Sequence, residues 1–304
     1  MNKDIINTNA QASRYRGSGW KYNQVMYACL LMGGLLLFLT GCKKSFLDLS
    51  PISNANSDDF YKTEADFEVA ENAAYATLYT IYAPEEAVSY SEMMSDDATM
   101  YSVAGNQADK WAIRDFKISP DNTMIYQYWQ DYYKSFYQIN IVLEKLEGAG
   151  LDPAFTDRAK GEMLFLRGLY YFHLVQLFGA VPLVTKPITV AESYQILRSS
   201  EPDVYQQIIT DLKWAADHLP PADKVEIVGR ASKGAAQMLL GKVYLTMGDK
   251  PSALQQLEAV YQSHQYQLLP KFTDLFGPNK KNTKESIFEI QYLGGSASAP
   301  YSQY

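Results

Sequence analysis

The sequence predicts an all-α protein, a row of antiparallel helices joined by long loops, behind an N-terminal export and anchoring segment. Three observations carry this. Apolar residues recur at helical spacing over most of 63–263, with cap residues marking where each run starts and stops. Residues 240–260 repeat the small-residue spacing of a two-helix hairpin. A charge-free apolar run near the N-terminus ends in a small residue and a cysteine.

The chain has 304 residues, 47% hydrophobic and 20% charged, with 18 Gly and 13 Pro, which is the profile of a globular protein. Aromatics reach 13%, and the 24 tyrosines suit either wet grooves or half-exposed helix faces. The formal charge is −7; removing the leader, with its four basic residues and one acid, takes the mature part to −10. The longest basic runs are the pairs Lys43–Lys44 and Lys280–Lys281, so nucleic-acid binding is disfavoured. Cys29 and Cys42 are the two cysteines, and only Cys42 survives removal of residues 1–41, which excludes a disulfide framework or a cysteine metal site in the mature part.

Val25 to Leu39 is fifteen residues without a charge. As a helix it spans about 22 Å, short of the roughly 30 Å hydrocarbon core. Basic residues before it and small residues after it give the layout of a secretory signal. Leu39-Thr40-Gly41-Cys42 resembles the bacterial lipobox, which implies cleavage after Gly41 and lipidation of Cys42. A single-pass anchor with an incidental cysteine is the competing reading, disfavoured by the short span. Residues 42–57 read as a polar, turn-rich tether, and 58–304 as the folded domain.

Within that domain, Thr63 caps a helix to about Tyr82, with Phe67, Ala70, Ala74, Leu78 and Ile81 on one stripe. Residues 84–121 have no clean period and read as a long irregular insertion, the kind of segment that carries function. Asp121 or Asn122 starts a second helix to about Glu147, ended by Gly148 and Gly150. Asp152-Pro153 opens a third to Phe178, stopped by Gly179. A short extended stretch, 180–184, follows, and Pro187 keeps the next segment out of helix. Ser200-Glu201-Pro202 opens a fourth helix to His218; a fifth runs from Ser232 to Met247 and a sixth from Pro251 to Ser263. Residues 286–292 (SIFEIQY) read as a strand.

In the last two helices, Leu240, Gly241, Tyr244, Gly248, Ala253, Leu257 and Val260 have the spacing of a tetratricopeptide unit. Gly241 and Ala253 let two antiparallel helices approach, and Gly248-Asp249 makes the turn. A lone unit cannot bury its own face, so other helices must stack on it, 123–147 and 153–178 being the obvious neighbours. The fold class is therefore all-α, a tetratricopeptide-like αα-superhelix with long loops and a short strand near the C-terminus.

The order of motifs resembles the SusD/RagB outer-membrane nutrient-binding lipoproteins. It runs from the lipobox and Phe46-Leu47-Asp48 with Pro51, through Trp129, Tyr132-Tyr133 and Ile139-Asn140, to Glu162, Phe165-Leu166-Arg167 and Tyr170-Tyr171-Phe172. It continues with Phe178-Gly179-Ala180-Val181-Pro182-Leu183, Asp211-Leu212, Lys233-Gly234-Ala235-Ala236, Phe272-Thr273-Asp274-Leu275-Phe276 and Ile287-Phe288-Glu289-Ile290. The resemblance implies a non-catalytic, lipid-anchored protein on the outer membrane, whose helices pack on a SusC-like TonB-dependent transporter and which captures nutrient, commonly oligosaccharide. Family members continue into a loop-rich C-terminal half that shares in the ligand site, so the resemblance also implies that 58–304 is incomplete.

Glycan recognition needs flat aromatic faces and planar amide or carboxylate groups. The 84–121 segment supplies Asp96, Asp97, Tyr101, Asn106, Gln107 and Trp111. A packing anchor is an equal reading of Trp111. Tyr292 is a further candidate. The aromatics at 126–137 and 170–172 occupy too many helix faces to be one stripe and read mostly as core, and Arg167 as a structural ion pair or carbonyl clamp. His173, His218 and His264 lie apart with no HExxH spacing, and there is no GxSxG elbow or phosphate-cradling glycine loop. No cofactor and no catalysis are expected. The leading reading is surface capture of nutrient; a scaffold lipoprotein and a non-functional truncated product are the alternatives.

Overall fold

Most helices begin where a short polar side chain can take up orphan backbone N–H groups. A computed structural model describes residues 60–82, 92–95, 97, 108–277 and 280–292, all within a compact unit, Ser57–Tyr304. Cys42, the leader and the tether lie outside the described residues.

Helix α1 (Glu64–Ile81) starts at a capping box between Thr63 and Asp66. A short helix, α2 (Ala108–Arg114), follows. In α3 (Thr123–Leu146) the Asn122 carboxamide accepts from Met124 and Ile125. In α4 (Pro153–Phe178) Asp152 caps, proline occupies the first turn, and Gly179 at φ 66° ends the helix. Strand β1 (Val181–Pro182) pairs antiparallel with β2 (Arg198–Ser199), enclosing the single-turn helix α5 (Val190–Ser193). Then come α6 (Glu201–His218), capped by Ser200, α7 (Lys233–Thr246), capped by Ser232, and α8 (Lys250–Gln262), capped by Asp249.

Helix α4 is the centre. Fifteen of its residues, from Ala159 to Val175, are buried, on all its faces, as expected of a helix flanked on several sides. It packs against α1, α3 and α6; α6 in turn carries α7, and α8 packs on α7. Between α3 and α4 the core is aromatic, with Tyr132, Phe136, Tyr170 and Tyr171 fully buried and Phe136 stacked on Tyr171 at 4.0 Å. Two seams need glycine. A Cβ at Gly168 would lie 2.9 Å from Leu212 of α6, and one at Gly241 2.7 Å from Leu257 of α8. Arg167, 6% exposed, is both the ion pair and the clamp its surroundings suggested. It donates through Nε and Nη2 to Asp211 at 2.7 and 2.8 Å, and through Nη1 to Asn140 at 2.9 Å and the Thr185 carbonyl at 3.0 Å. That holds α3, α4, α6 and the β1 loop together.

Four expectations need correction. Residues 286–292 are not a strand: their backbone is irregular, with Ile287, Phe288 and Ile290 laid against the core. The segment folds on itself, the Asn282 and Gln291 carboxamides exchanging hydrogen bonds at 2.9 Å. The 84–121 insertion is not wholly irregular, since a 3-10 turn (Glu92–Met94) and α2 lie within it. A turn of helix, α5, follows Pro187 where none was expected, started by a Thr189–Glu192 capping box. Finally, the α7–α8 hairpin stacks through α7 chiefly on α6, with a lesser contact to α4, rather than on the α3–α4 pair.

Candidate functional site

Of the candidates read from sequence, Asp96, Tyr101 and Asn106 lie outside the described residues, as does Gln107. Asp97, Trp111 and Tyr292 are described: the Asp97 amide donates to Ser95 Oγ at 3.1 Å, Trp111 lies on α2 beside the start of α3, and Tyr292 lies against the end of α1.

Helix α2 is bolted to the start of α3. The Asp109 carboxylate accepts from the Thr123 amide at 3.0 Å and from its hydroxyl, and the Asn122 carboxamide donates to the Asp109 carbonyl at 3.0 Å. Ile113 is fully buried. Trp111, on this helix, is half-buried, with the Arg114 guanidinium 4.1 Å from its ring centroid and Arg114 paired in turn with Asp115 at 2.6 Å. The cation covers one face of the ring. The chain then turns at Phe116, whose φ is 54° and which is 66% exposed. Phe116 was not among the sequence candidates, because neither a left-handed backbone nor exposure is legible in W-A-I-R-D-F.

Tyr292 packs against Tyr79 at 5.2 Å and donates to the Tyr82 carbonyl at 3.3 Å, while Tyr79 donates to the Gln291 carbonyl at 2.7 Å. Its contacts are those of an anchor for the 280–292 segment. Burial, with Tyr79 nearby, raises the Tyr292 phenol above its usual pKa.

Beneath this end lies a buried polar chain. Tyr82 and Tyr132 hydroxyls meet the two nitrogens of His173 at 3.1 and 2.9 Å, and Tyr128 meets Tyr132 at 2.7 Å. Burial, with a smaller effect of Lys242, pushes His173 down to about 4, so the ring is neutral at pH 7 and one nitrogen donates while the other accepts. The chain is a satisfied core network tying α1, α3 and α4. His218 stacks on Trp214 at 3.7 Å, and His264 lies just past α8 with φ 53°.

On the opposite flank, Glu68 and Glu71 of α1 and Glu162 of α4 meet Arg158 of α4 and Arg230 of the α6–α7 loop. The Glu71–Arg230 distance is 2.9 Å, Glu162–Arg230 2.6 Å and Glu162–Arg158 2.7 Å. Glu68, Arg158, Glu162 and Arg230 line a cleft of about 910 Å³ that also includes Phe155, Asp217 and Lys224. The sequence reading passed over it, although Arg158 and Glu162 at i, i+4 and Glu68 and Glu71 at i, i+3 were visible signals. A smaller aromatic groove of about 380 Å³ lies between Trp129, Tyr133 and Tyr137 of α3 and the 182–196 segment. Among the described residues no group of three His, Cys, Asp or Glu side chains could hold a metal ion, and no helix is long and apolar enough to cross a membrane.

Comparison with known proteins agrees with this architecture. A SusD-like protein of Bacteroides ovatus is 26% identical over 87% of this chain and 49% of its own length. SusD-like protein P2 of Formosa agariphila is 29% identical over 88% of this chain and 54% of that protein. Among solved structures, a laminarin binding SusD-like protein is 32% identical with a TM-score of 0.68, covering 75% of this chain and 51% of that one. A SusD superfamily protein of Bacteroides vulgatus is 28% identical with a TM-score of 0.69, over 75% and 50% of the two chains. The chain thus spans about half the length of the curated relatives it matches. The model of a SusD-like family, described as starch-binding and associating with the outer membrane, matches residues 45–245, and the chain belongs to that family.

Proposed function

We propose that this chain is the helical portion of an outer-membrane lipoprotein that captures oligosaccharide and hands it to a SusC-like TonB-dependent transporter, without chemistry of its own. The observation that carries the reading is the family match over 45–245, strengthened by 32% identity to a solved protein named for laminarin binding. Cys42 is the proposed lipid anchor, with several acyl chains giving stable attachment where one would be marginal. The proposed ligand site is built on Trp111 of α2, with Tyr292 at its margin; Asp96, Tyr101 and Asn106, which lie outside the described residues, are proposed to join it. Supporting this are the seating of α2 on α3 and the half-buried Trp111 that α2 carries.

Calorimetric titration with laminarihexaose and maltoheptaose tests the reading, since laminarin is named for a similar solved protein and starch in the family's description. Saturable binding of at least one supports capture, and Trp111→Ala should then weaken it by about 1–3 kcal/mol, the range for an aromatic hot spot. Unchanged affinity in W111A removes Trp111 from the site. Cys42→Ala should abolish lipidation and cleavage; normal membrane retention after processing would contradict the anchor. A second reading, a scaffold lipoprotein, draws support from the anchoring contacts of Tyr292 with Tyr79 and Tyr82. A cooperative melt with no binding across a broad glycan panel would favour it.

A further inference from the structure

We propose that the α6–α7 loop, residues 219–232, is a pH-sensitive latch: it lies closed over α1 and α4 while Glu71 holds a proton, and it lifts more readily once that proton is lost. The latch does not depend on what the chain captures.

The charge count points to it. Among the described residues, Glu68 and Glu71 of α1 and Glu162 of α4 share two guanidinium groups, those of Arg158 on α4 and Arg230 on the loop. Glu162 gives one oxygen to each arginine, at 2.7 and 2.6 Å, and Glu68 does the same from a partly exposed position. Glu71 engages only Oε2, at 3.1 Å from Arg158 and 2.9 Å from Arg230. Its Oε1 is buried and has no hydrogen-bond partner among the described residues. Fully ionised, the cluster holds three negative charges against two positive, with an anionic oxygen that no donor meets. One proton on Glu71 balances it. The buried pair at Arg167 needs no proton: Arg167 meets one carboxylate, Asp211, both of whose oxygens accept hydrogen bonds. Burial foremost, then Glu162, pushes the Glu71 carboxyl up to about 7 against the pull of Arg158 and Arg230, with Glu68 adding to the rise. Tyr75, the other titratable group against the cluster, is kept neutral by burial, which raises it well above its ordinary value.

The loop is the element able to move. Four of the five charged groups sit on α1 and α4, and only Arg230 comes from the loop. Between 221 and 231 only Arg230 and Ala231 are buried. The loop's ends are held together, the Lys233 amide donating to the Pro220 carbonyl at 2.8 Å, so its middle can lift without parting α6 from α7. Ile227 and Arg230 line both the 910 Å³ cleft and a second of about 300 Å³, and such thin packing makes local opening cheap. Arg230 itself fastens the middle, donating also to Asn72 at 2.7 Å and lying 4.7 Å from the Tyr75 ring centroid. The Ala231 amide adds a hydrogen bond to the Tyr75 hydroxyl at 2.9 Å. Lifting this stretch hydrates Glu71.

The sign follows from linkage. Closed, Glu71 keeps its proton up to about pH 7; open and hydrated, it ionises near its ordinary value of about 4.3. The closed latch is fully favoured below about pH 4.3, loses ground as pH rises to about 7, and loses no more beyond. The same motion reaches the 280–292 segment, because Gly229 abuts Gln291: a Cβ on Gly229 would lie 2.4 Å from Gln291 Cγ.

Hydrogen–deuterium exchange of the full chain in detergent, read by mass spectrometry across this pH range and divided by the intrinsic base-catalysed rate, tests the latch. Protection of the 226–232 peptide should fall about thirtyfold between about pH 5.5 and 8, levelling off near pH 7, while the 163–172 peptide of α4 stays protected. In Glu71→Gln the fall should vanish. Glu68→Gln, at a partly exposed position, leaves two carboxylates for two arginines and should move the levelling-off to lower pH. Wild-type protection that does not change with pH overturns the proposal. So does a fall that persists in E71Q, or one shared equally by the α4 peptide. A levelling-off unmoved in E68Q also overturns it, and that arm stands even where E71Q fails to fold.

Discussion

Glu71 is completely buried between two arginines, yet its carboxyl is pushed up to about 7. Burial is the main cause, with Glu162 adding to it and Arg158 and Arg230 opposing. Three carboxylates share two guanidinium groups here, and Glu71 Oε1 is buried without a hydrogen-bond partner. A carboxyl whose folded pKa is raised contributes stability that is full below its unfolded value, about 4.3. That stability is lost as pH rises toward the folded value. Between pH 5 and 8 the protein should therefore lose about 2–3 kcal/mol from this group, and Glu71→Gln should flatten the decline. Parallel pH profiles for the two proteins, measured by denaturant melts, would contradict the assignment. Arg167 is the converse case, a buried pair whose partners are nearly all satisfied. Arg167→Ala leaves Asp211 charged and buried, at an expected cost of about 3–5 kcal/mol; a loss below 1 kcal/mol would show the clamp to be dispensable.

At the scale of elements, close approach governs the stack. Gly241 faces Leu257 across the α7–α8 hairpin, so Gly241→Val should cost about 2 kcal/mol or more through overpacking, measurable as a lowered denaturation midpoint. An unchanged midpoint would mean that the hairpin can open without penalty. Helix limits were legible to within a residue or two because their signals are local: Thr63, Asp152-Pro153 and Ser200 each sit where the helix starts. Gly241 was legible for the same reason, as part of a spaced motif. Residues 286–292 were misread because apolar alternation says that a segment lies half-buried, and says nothing of whether a partner strand is there to receive its hydrogen bonds. The Arg158–Arg230 cluster joins residues up to 162 positions apart, Glu68 to Arg230, and only folding brings them together. Of the candidate site, Trp111 was legible as a loop aromatic, but the cation over it and the left-handed Phe116 were not.

For the whole molecule, the helices form a scaffold around α4 that presents α2 at one end and the charged cleft on a flank. The first end carries Trp111 and Tyr292, the described residues of the proposed sugar site, while in the second both arginines are paired with glutamates. Capture is therefore proposed at the α2 end. The most direct test of that claim is calorimetric titration of the full chain in detergent with laminarihexaose and maltoheptaose, beside a thermal melt of the same sample. Saturable binding of at least one glucan, weakened in W111A and unaffected by a change in the cleft such as Lys224→Ala, is the predicted result. A cooperative melt with no binding of either glucan, or binding lost in K224A and retained in W111A, would contradict it.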